Sequence, residues 1–348
     1  MRSLCIFSLV IFHTLGHCQD YPDNDWKVID NLERSGWDED KLNALGKFLA
    51  DSAATTGMMV IHQGRVVFQY GNVTDNSYMA SCRKSILSLI YGPYVESGRV
   101  DLDRTIEQLG LDDVGGLLPL ERKATIRHLL TARSGVYHPA SNEGDQSNMA
   151  PKRGSVSPGS YFLYNNWDFN IAGFILEQAA NKNIYDIVDS VLAKPLEMQD
   201  WDRKIQRKYG DSTKSIYPAY HMWFSTRDMA RIGLLMLTKG QWKNKQVVSS
   251  KWVKTITTPV TTYEEALKNK TNYFKFSYGY LWWLWNDDGP YRNAYTATGA
   301  FGQFITVLPA LNVVIAHKTN YDKYRTNTPT DLYLRIVDKV VASRDERK

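Results

Sequence analysis

The order of the apolar segments along the chain constrains the fold most strongly, because strands are expected near both ends and helices between them. The segments with strand character are 58–63, 66–70, 278–285, 304–308 and 313–318. The segments with helical spacing are 168–180, 184–192, 226–237 and 331–341. The simplest architecture for this order is an antiparallel sheet built from both ends of the chain and flanked by helices, with a mainly helical insertion. We therefore predict an α/β (α+β) fold class.

Two structural units are predicted within the 348 residues. The sheet domain is discontinuous and takes residues 26–100 and 243–345, whereas residues 101–242 form the inserted helical domain. A chain of this length accommodates one large domain or two interleaved ones. Within the insertion, residues 138–160 are rich in Gly, Ser, Asn and Pro. A connection of that length inside a compact protein is typically functional or disordered.

The N-terminus predicts a secretory signal peptide over residues 1–18. Arg2 precedes the apolar run 4–12, which is too short to span a bilayer and fits the core of such a leader. We predict cleavage near Cys18-Gln19, and hence a secreted or periplasmic protein without a transmembrane segment. A lipid-anchored form attached at Cys18 is the alternative, although His17 stands where a small residue is expected.

Charge and cysteine content exclude several classes of protein. The net charge of +5 is small for this length, and no run of Lys and Arg interleaved with aromatic residues predicts a nucleic-acid groove. The histidines lack metal-site spacing such as H-E-x-x-H, so no metal is expected. Removal of the leader would leave Cys82 as the one cysteine, which excludes an intrachain disulfide. Nothing in the pattern bears on the oligomeric state.

The segment Ser81-Cys82-Arg83-Lys84, followed by the apolar run 86–91, predicts a serine that opens a helix with a lysine one turn on. Residues three apart share a helix face, so the amine of Lys84 would lie beside the Ser81 hydroxyl and could activate it as a nucleophile. The alternative is a surface helix start, with Ser81 as its N-cap and Lys84 solvated. Cys82 is a rival nucleophile, but the helix would turn it about 100° away from Ser81, towards the core.

A second motif lies on the connection before the helix at 168–180. Tyr164 and Asn166 stand two residues apart there. A tyrosine in that place can relay protons between the serine and a leaving group, and the asparagine can donate to a substrate carbonyl. The alternative for Tyr164 is a packed aromatic residue whose hydroxyl is satisfied within the protein.

A third motif, Thr298-Gly299-Ala300, comes before the apolar strand at 304–308. These small residues allow a substrate to approach the strand backbone closely. The amides of Ala300 and Ser81 would then form an oxyanion hole, in which one donor is typically worth about 3 kcal/mol in the transition state. The alternative is a glycine-marked bulge at a sheet edge.

These three motifs, in this order, resemble those of the serine β-lactamase-like hydrolases. The chain looks most like the branch that holds class C β-lactamases, D-Ala-D-Ala carboxypeptidases, esterases and 6-aminohexanoate-oligomer hydrolases. The resemblance runs from about Trp26 to about Val341, and the segments 124–136, 157–166 and 194–198 also look like stretches of the family. It implies a β-lactamase/transpeptidase-like fold and a small-molecule ester or amide substrate, cleaved through an acyl-enzyme without metal or cofactor.

The resemblance also implies a role for each residue. Ser81 would be the acylated nucleophile and Lys84 its base, while Tyr164 would carry the proton to the leaving group and help to activate water. The residues expected to bind the substrate are Asn166, Thr298, Gly299 and Ala300. A lysine has an ordinary pKa near 10.4, so Lys84 must be desolvated or close to other donors if it is the base. Alternatively it stays charged and Tyr164 acts as the base.

Two positions depart from the family's pattern. Ala297 stands where the third motif usually begins with Lys or His, a cation that helps penicillin-recognising members to hold a substrate carboxylate. Its absence favours an esterase or amidase over a β-lactamase, a D-Ala-D-Ala carboxypeptidase or a penicillin-binding sensor without turnover, unless a residue such as Arg292 supplies the charge. Arg83 stands where Ser or Thr is common, and we expect it to face away from the site and form an ion pair.

Overall fold

The computed structural model describes residues 19–142, 144, 147–268 and 276–344. The predicted leader lies outside these residues and stays a prediction. The strands are β1 (Gly57–His62), β2 (Arg65–Gly71), β3 (Ser77–Tyr78), β4 (Arg207–Tyr209), β5 (Ala219–His221), β6 (Trp223–Phe224), β7 (Gln241–Trp242), β8 (Lys245–Gln246), β9 (Phe276–Tyr278), β10 (Trp283–Trp285), β11 (Tyr295–Gly299), β12 (Gln303–Leu308) and β13 (Val313–Lys318).

The helices of the described residues include one at each segment predicted to be helical, and several that were not predicted. They are α1 (Glu39–Ser52), α2 (Cys82–Glu96), α3 (Ile126–Leu130), α4 (Asn166–Ala180), α5 (Ile184–Val188), α6 (Thr226–Leu237), α7 (Ser250–Ile256), α8 (Tyr263–Lys268), α9 (Tyr321–Tyr324) and α10 (Thr330–Ala342). The segment predicted as a helix at 184–192 begins as α5 and continues as a π-helix at Asp189–Ala193. No helix of the described ranges combines the length and apolar character needed to cross a bilayer.

Seven of the described strands form one antiparallel sheet in the order β2-β1-β13-β12-β11-β10-β9. The pairing of β1 with β13 runs from Gly57 opposite Lys318 to His62 opposite Val313. The first strand of the chain therefore lies inside the sheet beside the last one. This arrangement, with helices over the sheet, confirms the predicted fold class.

Both faces of the sheet are buried, and this explains why β1 is apolar throughout. Met58 and Val60 point into a cluster with α1 and α10, whereas Met59 and Ile61 point into the larger cluster that contains residues of α2 and α6. Successive side chains of a strand alternate between its faces, so an uninterrupted apolar run satisfies both clusters. Full burial of one such side chain typically contributes about 1.5–3 kcal/mol.

Two features of the fold differ from the simplest reading of the sequence. The strand predicted at 278–285 is a hairpin of β9 and β10, because the chain reverses at Leu281, whose φ of 64° is left-handed. Gly279 permits this reversal, since a Cβ there would lie 2.4 Å from the carbonyl oxygen of Ile256. In addition, α6 packs on β1, β12 and β13, although it lies within 101–242. The division into a sheet domain and a helical insertion stays a prediction.

Candidate active site

Ser81 lies where a constrained turn meets the N-terminus of α2. It is the N-cap residue of that helix, and Ala80 before it has a left-handed φ of 46°. A residue with a Cβ in that region typically costs about 1–2 kcal/mol. The turn is held from the other side by β11, because a Cβ on Gly299 would lie only 2.5 Å from the Met79 carbonyl oxygen and 3.2 Å from the Cys82 nitrogen. The strand and the helix start therefore approach each other at Ser81.

Lys84 lies one turn into α2 and contacts the other two residues of the predicted triad. Its Nζ donates to Ser81 Oγ at 2.9 Å and to the Tyr164 hydroxyl at 2.8 Å. The side chain is only 2% exposed, and its Nζ also lies 4.8 Å from the centre of the Phe169 ring. The solvated surface lysine considered from the sequence is thus wrong, and the structure brings Ser81, Lys84 and Tyr164 together. Their catalytic roles stay predictions.

Tyr164 is held by aromatic packing just before α4. Its ring lies 4.8 Å from that of Phe169 and stacks on Trp283 at 5.6 Å. Burial raises the pKa of the Tyr164 phenol above its ordinary value of 10, and the hydrogen bond with Ser81 and the charge of Arg83 oppose this only in part. Near neutral pH the phenol therefore carries its proton, as a group that protonates a leaving group must.

The carboxamide of Asn166 has an orientation that the sequence did not indicate. Its Nδ2 donates to the main-chain carbonyl of Asn142 at 2.9 Å, which fixes the amide because a carbonyl can only accept. Its Oδ1 is buried and has no donor among the residues that the structure describes. Asn166 lines the cleft at Ser81. Its unused group is therefore an acceptor, which suits a substrate N–H better than the substrate carbonyl considered from the sequence.

The opposite wall of the cleft comes from β11 and the turn after it. Thr298, Gly299 and Ala300 all line the cleft, as predicted from their position in the chain. The amides of Ser81 and Ala300 donate to no acceptor within the described ranges, so both donors are available to an oxyanion. The Thr298 hydroxyl is likewise buried without a partner there.

The cleft has a volume of about 370 Å³ and walls that are mostly aromatic or neutral. Tyr78, Trp283 and Phe301 line it, and Phe301 is held by stacking on Tyr321 with ring centres 3.8 Å apart. Among the described residues that line the cleft, Lys84 is the only Lys, Arg, His, Asp or Glu. Arg292 is not among them, so it does not replace the cation missing at 297.

Two lining elements could not be identified from the sequence. Tyr78 lies three residues before Ser81, and its hydroxyl is 2.8 Å from His221 Nδ1. Burial lowers the pKa of His221 to about 3, so this histidine is neutral and holds Tyr78 without adding charge. The segment 327–330 also lines the cleft. No motif marks it, because only the tertiary fold brings it there.

The two residues between Ser81 and Lys84 point away from the cleft. Cys82 is fully buried, as predicted, and its Sγ donates to the carbonyl of Gln303. The expectation of an ion pair for Arg83 is wrong. Its guanidinium lies 4.4 Å from the centre of the Tyr220 ring and donates to Asn170 at 3.4 Å, and no described carboxylate lies within ion-pair distance. Arg83 contacts a ring face because its neighbours on this side of α2 come from α4, which carries Asn170, and from β5, which carries Tyr220.

The residues that the structure describes contain no group of three His, Cys, Asp or Glu side chains placed to hold a metal ion. The groups that converge on Ser81 are an amine, a phenol, a carboxamide and main-chain amides. Together they can activate a hydroxyl, stabilise an oxyanion and protonate a leaving group.

Comparison with known proteins supports the same family as the motifs. The family model named Beta-lactamase matches residues 30–338. Monacolin J acid methylbutanoyltransferase of Aspergillus terreus is 30% identical over an alignment of 161 residues, and the match covers 37% of this chain and 38% of that protein. The matched part thus spans less than two fifths of that relative's length.

Solved structures share the fold over nearly the whole chain. A candidate 6-aminohexanoate-dimer hydrolase of Bacillus anthracis superposes with a TM-score of 0.66 at 21% identity, covering 93% of this chain and 89% of that one. A class C β-lactamase variant gives a TM-score of 0.64 at 15% identity, covering 91% and 99%. Identities this low show the fold alone, whereas the family model covers most of the sequence. The predicted resemblance is confirmed, and the chain belongs to the β-lactamase family of hydrolases, most of which are serine hydrolases.

Proposed function

We propose that this protein is a serine hydrolase that cleaves an ester or amide bond through an acyl-enzyme on Ser81. The observation that carries the proposal is the pair of contacts made by Lys84 Nζ, 2.9 Å to Ser81 Oγ and 2.8 Å to the Tyr164 hydroxyl. A nucleophile within hydrogen-bond distance of a base, with a second proton carrier beyond it, is the arrangement that covalent catalysis requires.

In the proposed acylation step, Ser81 Oγ attacks the substrate carbonyl while the neutral amine of Lys84 takes the hydroxyl proton. The negative charge moves to the carbonyl oxygen, which accepts from the amides of Ser81 and Ala300. As the tetrahedral intermediate collapses, the bond to the leaving group breaks and Tyr164 gives that group its proton. Lys84 then returns its extra proton to Tyr164. In deacylation, water attacks the acyl carbonyl and gives a proton to Lys84. The bond to Ser81 Oγ then breaks as Tyr164 protonates that oxygen, and Lys84 again returns its extra proton to Tyr164.

The protonated state of Tyr164 favours Lys84 as the acylation base. Burial holds the pKa of this phenol above its ordinary value, so a phenolate is scarce near neutral pH. A phenol that has kept its proton cannot accept the one from Ser81. It can, however, donate to a leaving group, and the 2.8 Å contact with Lys84 gives it a route to recover the proton.

The neutral side chains of most described residues that line the cleft support an uncharged substrate. Ala297 provides no cation on the strand side, and Arg292 does not line the cleft. The Oδ1 of Asn166, which has no donor among the described residues, supports a substrate that carries an N–H donor a few bonds from the reacting carbonyl. Tyr164 and Asn166 are two residues apart, and both line the cleft. An amide-bearing ester or a linear amide meets this requirement.

Acyl transfer to an alcohol is a second candidate function. A relative of this chain is named as a methylbutanoyltransferase, and an acyl-enzyme on Ser81 would react with an alcohol in the same way as with water. The aromatic walls formed by Tyr78, Trp283 and Phe301 would favour an apolar alcohol in the cleft. A product ester formed when an alcohol is added to the assay would distinguish this function from simple hydrolysis.

A substrate panel tests the proposal directly. We expect hydrolysis of a neutral ester or linear amide, weak or absent hydrolysis of a penicillin, and loss of all turnover in Ser81→Ala. The matched variant Cys82→Ala removes the neighbouring thiol, which faces the core, and should keep the activity. Turnover that survives Ser81→Ala, or that disappears only in Cys82→Ala, would contradict the assignment. A stable penicillin adduct without hydrolysis would indicate the sensor that the sequence left as an alternative.

We further propose that the protein is exported and that residues 1–18 are removed. The support is the short apolar run 4–12 behind Arg2. N-terminal sequencing of the protein recovered outside the cytoplasm would give a start at or near Gln19. A mature chain that begins at a lipid-modified Cys18 would indicate the anchored form instead.

A further inference from the structure

A second cavity, remote from the catalytic cleft, lies where α2 and α4 end. Its volume is about 310 Å³, and it shares no lining residue with the cleft at Ser81. Arg99 and Val100 line it just after α2, and Phe174 lines it from the second half of α4. Each of these helices has 15 residues, so the cavity lies about 12 to 20 Å along them from the ends that carry the proposed catalytic groups.

The floor of this cavity is apolar and well supported. Val100 and Ile126 are almost fully buried, whereas Leu111 and Phe174 are partly buried side chains packed against the main core cluster. The Phe174 ring is held by Tyr217, with ring centres 5.1 Å apart. These side chains present apolar surface to an open cavity, and covering such surface is worth about 25 cal/mol per Å².

The wall opposite α4 is fixed by main-chain hydrogen bonds. The amide of Ile126 donates to the carbonyl of Arg104 at 3.2 Å, and Thr105 forms a β-bridge with Thr125. The Arg104 guanidinium itself donates to the carbonyl of Gln108 at 2.8 Å. The cavity is therefore formed before any ligand arrives, which lowers the entropy lost on binding.

Two guanidinium groups stand at the rim without a carboxylate partner. Neither Arg99 nor Arg104 forms an ion pair with any described acidic residue. Asp101 also lines the cavity, but its Oδ1 accepts from the main-chain amide of Asp103 at 3.0 Å. The rim thus carries a net charge of about +1, which a monoanion complements better than a dianion does.

We propose that this cavity binds a small amphipathic carboxylate, with its aliphatic chain on the floor and its carboxylate between Arg99 and Arg104. Guanidinium groups form strong paired hydrogen bonds with carboxylates. A volume of about 310 Å³ is at the lower end for ligand cavities, so an acid of medium chain length is the appropriate class. This inference is independent of the chemistry proposed for Ser81, because the two sites share no residues.

Calorimetric titration of the full chain with sodium octanoate tests the inference. Acetate keeps the charge without the chain, and 1-octanol keeps the chain without the charge. We expect saturable binding of octanoate, at least about tenfold tighter than either comparison ligand, since a lost charged hydrogen bond of 1.4 kcal/mol or more is a factor of ten. Absence of saturable octanoate binding, or equal affinity for 1-octanol, would overturn the proposal.

Variants locate the binding to this cavity rather than to the catalytic cleft. The double substitution Arg99→Gln/Arg104→Gln should weaken octanoate binding about tenfold or more, while the charge-matched control Arg34→Gln/Arg335→Gln, on exposed helical positions elsewhere, should not. Ala179→Phe fills the cavity without altering either rim arginine, and it should also abolish binding. It therefore provides an independent test if the rim variant fails to fold. Unchanged affinity in a folded rim variant or in Ala179→Phe would refute the assignment.

Discussion

Replacement of Tyr164 by Phe isolates the one hydroxyl that the proposed mechanism uses to protonate the leaving group. The ring would keep its contacts with Phe169 at 4.8 Å and Trp283 at 5.6 Å. The change removes the hydrogen bond to Lys84 Nζ and the contact with Ser81. The free energy of unfolding should therefore fall by only about 0.5–1.5 kcal/mol, the net worth of one hydrogen bond.

The effect on turnover should depend on the leaving group. General acid catalysis is typically worth 10²- to 10⁴-fold, or about 3–5 kcal/mol, but only where the leaving group needs a proton. We therefore expect kcat to fall at least about 100-fold on an alkyl ester or linear amide. On a p-nitrophenyl ester the loss in the acylation rate, read from the first-turnover burst of nitrophenolate, should be much smaller, because nitrophenolate departs as an anion.

The assay compares kcat on an alkyl ester with the first-turnover burst rate on its p-nitrophenyl counterpart, for the wild type and Tyr164→Phe. Tyr78→Phe is the matched control, since it removes a second phenol hydroxyl from the same cleft, one that contacts His221. Equal losses on both esters would indicate a structural role for the Tyr164 hydroxyl and would refute its assignment as the proton carrier. So would an unchanged rate on the alkyl ester.

Three further predictions follow from contacts and burial. Gly299→Ala should lower kcat at least about 100-fold, because the new Cβ would lie 2.5 Å from the Met79 carbonyl oxygen and displace β11 from Ser81. The control Gly46→Ala should leave kcat unchanged, because the nearest described atom beyond its own helix would lie 3.8 Å from the new Cβ. Asn166→Leu should lower kcat/KM about tenfold for an ester with an N–H in its acyl part, but not for the analogue with oxygen in that place. A second pair of esters, with the N–H or the oxygen in the alcohol part, shows which part of the substrate Asn166 contacts. Equal effects on all four substrates would exclude the acceptor role. Burial raises the pKa of Asp228 from 3.8 to about 6, so the folded state binds an extra proton between these values, and the stability is lost as pH rises from 3.8 through 6. Denaturant unfolding should show the stability of the wild type relative to Asp228→Asn falling by about 2 kcal/mol from pH 4 to pH 7. A constant difference would contradict this.

Local spacing was sufficient to predict the contact between Ser81 and Lys84. The three-residue interval fixes their relation as soon as the segment is helical, because the helix geometry is the same in every protein. The contact with Tyr164 had no such basis, since 80 residues separate it from Lys84. This contact was predicted from the resemblance to a family in which the same three motifs, in the same order, meet in the folded protein.

The orientation of Asn166 and the environment of Arg83 could not be predicted because both depend on partners distant in sequence. The carbonyl of Asn142 decides which side of the Asn166 carboxamide is unused. The ring of Tyr220 takes the place of the carboxylate expected for Arg83. A sequence pattern indicates that a charge or an amide is present, but its partner is set by how remote segments pack.

The hairpin at 278–285 was missed for a different reason. An uninterrupted apolar run is typical of a buried strand, and here it also contains a reversal at Leu281 with a left-handed φ of 64°. Such a conformation is uncommon for a residue with a Cβ, so composition favours a single strand. Tertiary packing overrides this preference, since the Trp282 side chain after the reversal is fully buried.

Acid quenching during turnover of an ester, followed by peptide mapping with mass spectrometry, tests the central claim most directly. An acyl-enzyme predicts that the peptide containing residues 81–84 gains the mass of the acyl group, with fragmentation placing it on the Ser81 oxygen. Tyr164→Phe should still form this adduct from a p-nitrophenyl ester. The quench uses an activated ester, for which we expect acylation to be faster than deacylation, so that the acyl-enzyme accumulates. An acyl group on Cys82 would contradict the account. So would steady hydrolysis by the wild type with no acylated peptide.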